Sequence, residues 1–266
     1  LLLVSVPKIL ITFVLIGEDI FRILSGMLTR FLGDNDYGSF LPERRKFVSQ
    51  VAYGIAAIPF LSFLYGITKG KYNFKVIKQT LSFPDLPDNF DGFTFAQISD
   101  IHSGSFDNPE KIQYAVDLIN KQDFDLLLFT GDIINSDATE MHPWIDTFKG
   151  LKNPTFGKYS ILGNHDYGTY KNWPSDKAAA DNFENVKDLH RQIDFKLLLD
   201  EHVKIKKGDQ EIAIVGVENW GKNFGEKGDI DKASMNLTKD DFKILLSHDP
   251  THWEFVVKNH EKHFQL

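Results

Sequence analysis

Four short apolar runs each end in side chains that can bind a hard cation or carry a proton. Ser99-Asp100-Ile101-His102 follows the first, Thr130-Gly131-Asp132 the second, Gly163-Asn164-His165-Asp166 the third and Ser247-His248-Asp249-Pro250 the last. Carboxylate oxygen, amide oxygen and imidazole nitrogen are the donors that suit Mn, Fe, Zn or similar divalent ions. Asp100 and His102 stand two apart, which on an extended strand puts both on one side and lets them reach one ion. Gly131 and Gly163 let the backbone turn tightly beside them. A single Asp after a strand reads as well as a helix cap, but four such coincidences in this order do not. The chain has no cysteine, which excludes disulfides, Cys-ligated zinc, iron–sulfur clusters and thiol nucleophiles.

The elements that must position these residues alternate. Phe93–Ser99, Asp125–Thr130 and Lys158–Leu162 read as buried strands. Lys196–Leu199, Val203–Lys206, Glu211–Val217 and Phe242–Ser247 read as further strands. Asn108-Pro109 gives a cap and a first-turn proline, and Ile112, Ala115, Val116 and Ile119 then share one helix face. Phe183–Ile193 and Thr251–Lys258 read as helices. Strands alternating with helices predict an α/β fold, with the later run of strands adding a second sheet. Ligand sites of such sheets gather outside the carboxyl ends of the strands, where the four motifs stand. His142, His190, His202, His252, His260 and His263 sit in no motif and read as ordinary core or surface residues.

Charge divides the chain. Residues 1–80 hold ten Lys/Arg against five Asp/Glu, whereas the whole chain carries −7. That balance makes nucleic acid an unexpected partner. Residues 1–17 are apolar apart from Lys8 and read as the end of a membrane helix. Residues 18–46, with Glu18, Asp19, Asp34 and Asp36, read as an amphipathic or loop connection. Phe47–Ile67 is uncharged and long enough to cross a hydrocarbon core of ~30 Å at ~1.5 Å per residue. Residues 1–71 are therefore expected to be membrane-associated and 72–266 to form the catalytic domain. Arg44-Arg45 before Phe47 leaves two readings open. One is a twin-arginine-like export signal, which would put the catalytic domain on the extracytoplasmic face of a bacterial cell membrane. The other is a basic flank that orients a helix.

The ordered set Asp-x-His, Gly-Asp, Gly-Asn-His-Asp and Ser-His-Asp-Pro resembles the calcineurin-like metallophosphoesterase superfamily, from about Phe93 onward. Within it the chain is similar to the membrane-associated bacterial phosphodiesterase branch. The resemblance implies a four-layer α/β/β/α sandwich preceded by N-terminal membrane helices. It implies a two-metal centre with a bridging hydroxide that hydrolyses a phosphoester. Asp100 and His102 match ligands of the first ion, Asp132 the bridging carboxylate, and Asn164 and His248 ligands of the second. His165 matches the acid that protonates the leaving oxygen, and Asp166 the residue that orients it. The family's closing Gly-His-x-His motif has no counterpart here, which reads as a C-terminal truncation that would impair the piece. The membrane segment favours a lipid-linked phosphodiester or pyrophosphate, such as a nucleotide-sugar lipid, as substrate. The competing reading is a non-catalytic, metal-dependent scaffold that binds a partner at the membrane.

Overall fold

A computed structural model describes residues 1–31 and 42–265, in two units, Leu1–Lys75 and Val76–Leu266. In the first unit, α1 spans Leu2–Phe31 and α2 spans Pro42–Thr68. Residues 18–31, read from sequence as a connection, instead continue α1. Asp19 and Arg22 interrupt the apolar run but not the helix, because they pair across one turn at 2.9 Å. The rest of that connection, including Asp34 and Asp36, lies outside the described residues. Among the described side chains of α2 only Ala52 and Ala56 are buried, and most of its large apolar side chains are exposed. Among the described residues one helix, within Arg44–Tyr72, is long and apolar enough to cross a membrane. The Arg44 guanidinium lies 4.7 Å from the centre of the Phe21 ring of α1.

The second unit is built on two sheets. Strands β1 (Phe95–Ile98), β2 (Leu126–Phe129), β3 (Lys158–Ser160) and β4 (Lys196–Leu197) form one parallel sheet in that order. Strands β5 (Glu201–Lys207) and β6 (Gln210–Gly216) form an antiparallel pair, and β9 (Lys243–Leu246) joins β6 in parallel. Trp220–Gly221 and Gly225–Glu226 make a small hairpin, β7 and β8. Helices α3 (Pro109–Asn120), α4 (Ile145–Lys149), α5 (Asp176–Gln192), α6 (Ile230–Ala233) and α7 (Pro250–Phe255) complete the unit. The cap read from sequence is present. Asn108 Oδ1 accepts from Lys111 N–H at 3.0 Å, with Pro109 opening α3. Asp249 caps α7 in the same manner, so the Asp of the last motif holds a helix.

Burial layers these elements. Leu126 and Leu128 of β2 meet Ile205, Ile212, Ile214, Ile244 and Leu246 of the other sheet in a shared core. The opposite face of the second sheet, through Ala213 and Val215, packs on Ile230, Ala233 and Val257. On the first sheet's outer face Phe129 stacks on His190 of α5. The order is thus helices, sheet, sheet, helices, the expected four-layer sandwich.

His190 is fully buried and neither ring nitrogen has a hydrogen-bond partner among the described residues. Burial holds its imidazolium down to about 3, and burial likewise holds His252 down to about 4. The unfolded chain binds these protons near 6.5, so it is favoured as pH falls below that value. His190 alone should cost about 2 kcal/mol of stability between pH 7 and pH 5. His190→Phe keeps the stacking on Phe129 and should remove that part of the acid sensitivity. Thermal melts at pH 7 and pH 5 check it: an unchanged difference between the two melts would sink the assignment.

Candidate metal centre

The first sheet sends three strand ends to one place, and β9 sends a fourth. Past β1, Asp100 and His102 adopt φ of 53° and 46°; past β2, Asp132 adopts 61°. Left-handed backbone costs a non-glycine residue roughly 1–2 kcal/mol, and such strain gathers at functional sites. Backbone bonds hold these residues in place: Asp100 N–H donates to Gly131 O and His102 N–H to Asp132 O, each at 3.0 Å.

Two glycines permit the approach. A Cβ on Gly131 would lie 2.4 Å from Gly163 N, and one on Gly163 would lie 2.2 Å from Asp132 Oδ1. Asp166 then ties the two turns together. Its carboxylate, fully buried, accepts N–H bonds from Asp132, Ile133 and Gly163 at 2.8–2.9 Å. Burial pushes its carboxyl up to about 7, the Gly163 N–H holding it down and the Asp132 charge pushing it further up.

The side chains converge. Asp132, 2% exposed, faces His102 Nε2 at 3.4 Å and His248 Nε2 at 3.3 Å through Oδ2. Asp100 Oδ1 is 3.8 Å from His102 Nε2. Asn164 Oδ1 is 3.2 Å from His248 Nε2, and its Nδ2 donates to Tyr170 Oη at 2.6 Å. That second bond fixes the amide with its oxygen toward the cluster. Two overlapping trios, His102–Asp132–His165 and Asp100–Asp132–His248, keep their ligand atoms within 4.8 Å of one another. The donors fit a divalent ion, since they are carboxylate, amide and imidazole groups.

Electrostatics follow from the same contacts. Burial opposes ionisation of Asp132, yet the bond and charge of His248, with the His165 N–H, hold its carboxyl below the usual range. Burial likewise opposes the His248 imidazolium, but Asp132 and the Thr130 carbonyl push it up to about 9. His248 Nδ1 donates to Thr130 O at 2.8 Å, and His165 Nδ1 to Asn135 O at 2.7 Å. A carbonyl only accepts, so each Nδ1 carries a proton and each Nε2 is left to face the cluster.

One expectation is corrected here. Asp166 does not orient the His165 ring, because its oxygens are taken by backbone N–H groups. The Asn135 carbonyl does so, and the sequence reading missed it. Glu140 in turn holds that loop, accepting from the N–H groups of Asn135, Ser136 and Asp137 at 2.6–3.2 Å. Glu140→Ala leaves three donors unanswered. We expect a loss of about 2 kcal/mol in stability and about tenfold in turnover as the His165 ring loosens. Turnover equal to the parent's would exclude this chain of support.

Comparison with known proteins agrees with this geometry. Residues 93–265 match the family model described as calcineurin-like phosphoesterase. Residues 1–71 match one described as probable calcineurin-like phosphoesterase, transmembrane domain, which associates the N-terminal unit with a membrane. A transmembrane protein with metallophosphoesterase domain from Danio rerio is 26% identical over 70% of this chain and 42% of its own length. The uncharacterized metallophosphoesterase YkuE of Bacillus subtilis is 40% identical over 32% of this chain and 30% of its own. UDP-2,3-diacylglucosamine pyrophosphatase LpxG of Chlamydia muridarum is 27% identical over 44% and 35%. The chain therefore spans less than half the length of each of these relatives. With its second unit matched almost throughout, the chain belongs to the calcineurin-like phosphoesterase family.

Proposed function

We propose that the protein is a metal-dependent phosphoester hydrolase with a two-metal centre, its domain 72–266 held at a membrane by residues 1–71. The observation that carries the reading is the convergence of Asp100, His102, Asp132, Asn164, His165 and His248 from four strand ends onto one point. Asp100, His102 and Asp132 would hold one cation, and Asp132, Asn164 and His248 a second. Divalent cations, when bound, neutralise phosphoryl oxygens and make hydroxide available near neutral pH. The chain's own groups do the rest. Asp132 brings negative charge to the centre of the cluster. His165, with its Nδ1 proton tied to Asn135 O, would in its doubly protonated form give the Nε2 proton to the departing oxygen, leaving the neutral ring. Tyr170 stacks on that ring at 4.3 Å and limits its rotation.

The substrate we favour is a lipid-linked phosphodiester or pyrophosphate in a bacterial cell membrane. The support is the membrane unit and the pyrophosphatase activity named for the LpxG relative. The test is hydrolysis of bis(p-nitrophenyl) phosphate by the whole chain in detergent, with Mn and with a chelator. Turnover that requires Mn is expected, weak in this chain because no Gly-His-x-His completes its ligand set. Tight metal binding with no turnover of this or any lipid pyrophosphate would favour the scaffold reading instead.

A further inference from the structure

Beside the candidate centre the β7–β8 turn and residues 164–170 enclose a cleft of about 290 Å³. Asn164 belongs to both, so the cleft adjoins the place where the centre would hold a phosphoester. Tyr170 and Phe224 line it with rings that are 53% and 57% exposed. Lys227 lines it too, its ammonium 4.2 Å from the centre of the Tyr167 ring.

Asn219 supplies the decisive detail. It is 1% exposed, and its Nδ2 donates to Phe224 O at 2.8 Å and Gly225 O at 3.2 Å, which clasps the turn. Its Oδ1 has no hydrogen-bond partner among the described residues. A buried acceptor left unmatched is costly, and the clasp accounts only for the other end of the amide. The missing complement is a donor, such as a hydroxyl or a ring N–H. A hydrocarbon chain would leave Oδ1 unmatched and set Lys227 against apolar atoms. Aromatic walls suit the face of a ring, and the ammonium suits an anion attached to it. The volume lies just below the ~300–1,000 Å³ typical of ligand pockets, which suits a compact ligand.

We propose that this cleft binds a hydroxylated ring compound, a sugar or a nucleoside, next to the scissile phosphate. The proposal rests on the hydrolase reading for the position of that phosphate. Calorimetric titration of the whole Mn-loaded chain with AMP, glucose 1-phosphate and glycerol 3-phosphate tests it. One of the ring phosphates should bind about tenfold tighter than glycerol 3-phosphate. Phe224→Ala and Lys227→Ala should each remove most of that ratio. Tighter AMP binding assigns the ring to a nucleoside, and tighter glucose 1-phosphate assigns it to a sugar. Equal affinity for all three ligands, or a ratio that survives both substitutions, overturns the proposal. A chain that selects ring phosphates yet hydrolyses no ester keeps the cleft and loses the hydrolase reading. A chain that hydrolyses esters without ring selectivity does the reverse.

Discussion

Asp132→Asn will strip metal and turnover together, with kcat falling about 10³-fold or more. The carboxamide keeps the shape of the side chain and one acceptor oxygen, so the fold has little reason to change. What disappears is the charge that His102 and His248 both face, at 3.4 and 3.3 Å. Loss of one shared carboxylate from a buried cation site removes several kcal/mol of charge stabilisation, and each ~1.4 kcal/mol is a factor of ten. A second readout needs no metal. Burial disfavours the His248 imidazolium, and Asp132 is the main group that reverses this and lifts it to about 9. In the metal-free variant His248 should therefore lose its proton at a lower pH, visible in its ring NMR signals. A variant that keeps its metal after dialysis and works within tenfold of the parent would remove Asp132 from the centre of the mechanism.

His165→Asn should leave metal content unchanged and lower turnover by about 10²–10⁴-fold, the usual worth of a positioned acid. The loss should be greater for an alkyl ester than for a nitrophenyl ester, because nitrophenolate departs without needing a proton. The geometry also allows the opposite assignment, since His165, His102 and Asp132 form one of the two ligand trios. Metal analysis separates the two. If one equivalent of metal leaves with the activity, His165 is a ligand and the leaving-group dependence should vanish. His102 meets the His165 ring edge-on at 4.7 Å, so the substitution should stop at Asn and not go to a larger group.

The strand ends were readable from sequence because each site residue follows an apolar run and each run became a strand within a few residues of the expected bounds. Asp100, His102, Asp132, Asn164, His165 and His248 all fall near one point for that reason. The support behind them was not readable. A backbone carbonyl such as Asn135 O leaves no mark in the sequence, and the family resemblance points to Asp166 for the orienting role. Asp166 serves the backbone instead, where three N–H groups from two turns needed one acceptor. The β7–β8 hairpin and its cleft were also missed, since two-residue strands carry no periodicity. In the N-terminal unit, hydropathy alone ended the first helix at residue 17. The Asp19–Arg22 pair shows why polarity is a poor marker of a helix end. Glu140 is a partial exception: with Asp137 it forms a capping box, a pattern legible in principle as Asp-x-x-Glu.

The left-handed backbone at Asp100, His102 and Asp132 sets the protein's durability against its chemistry. Glycine would relax each position by roughly 1–2 kcal/mol and would be the choice of any selection for heat resistance alone. Each such gain would delete a donor from the cluster. A library screened only for folded, soluble protein should drift toward glycine at these positions and return robust but inert molecules. Stabilising changes worth keeping are to be sought elsewhere in the fold, in places like the buried ring of His190, where the strained turns are left as they are.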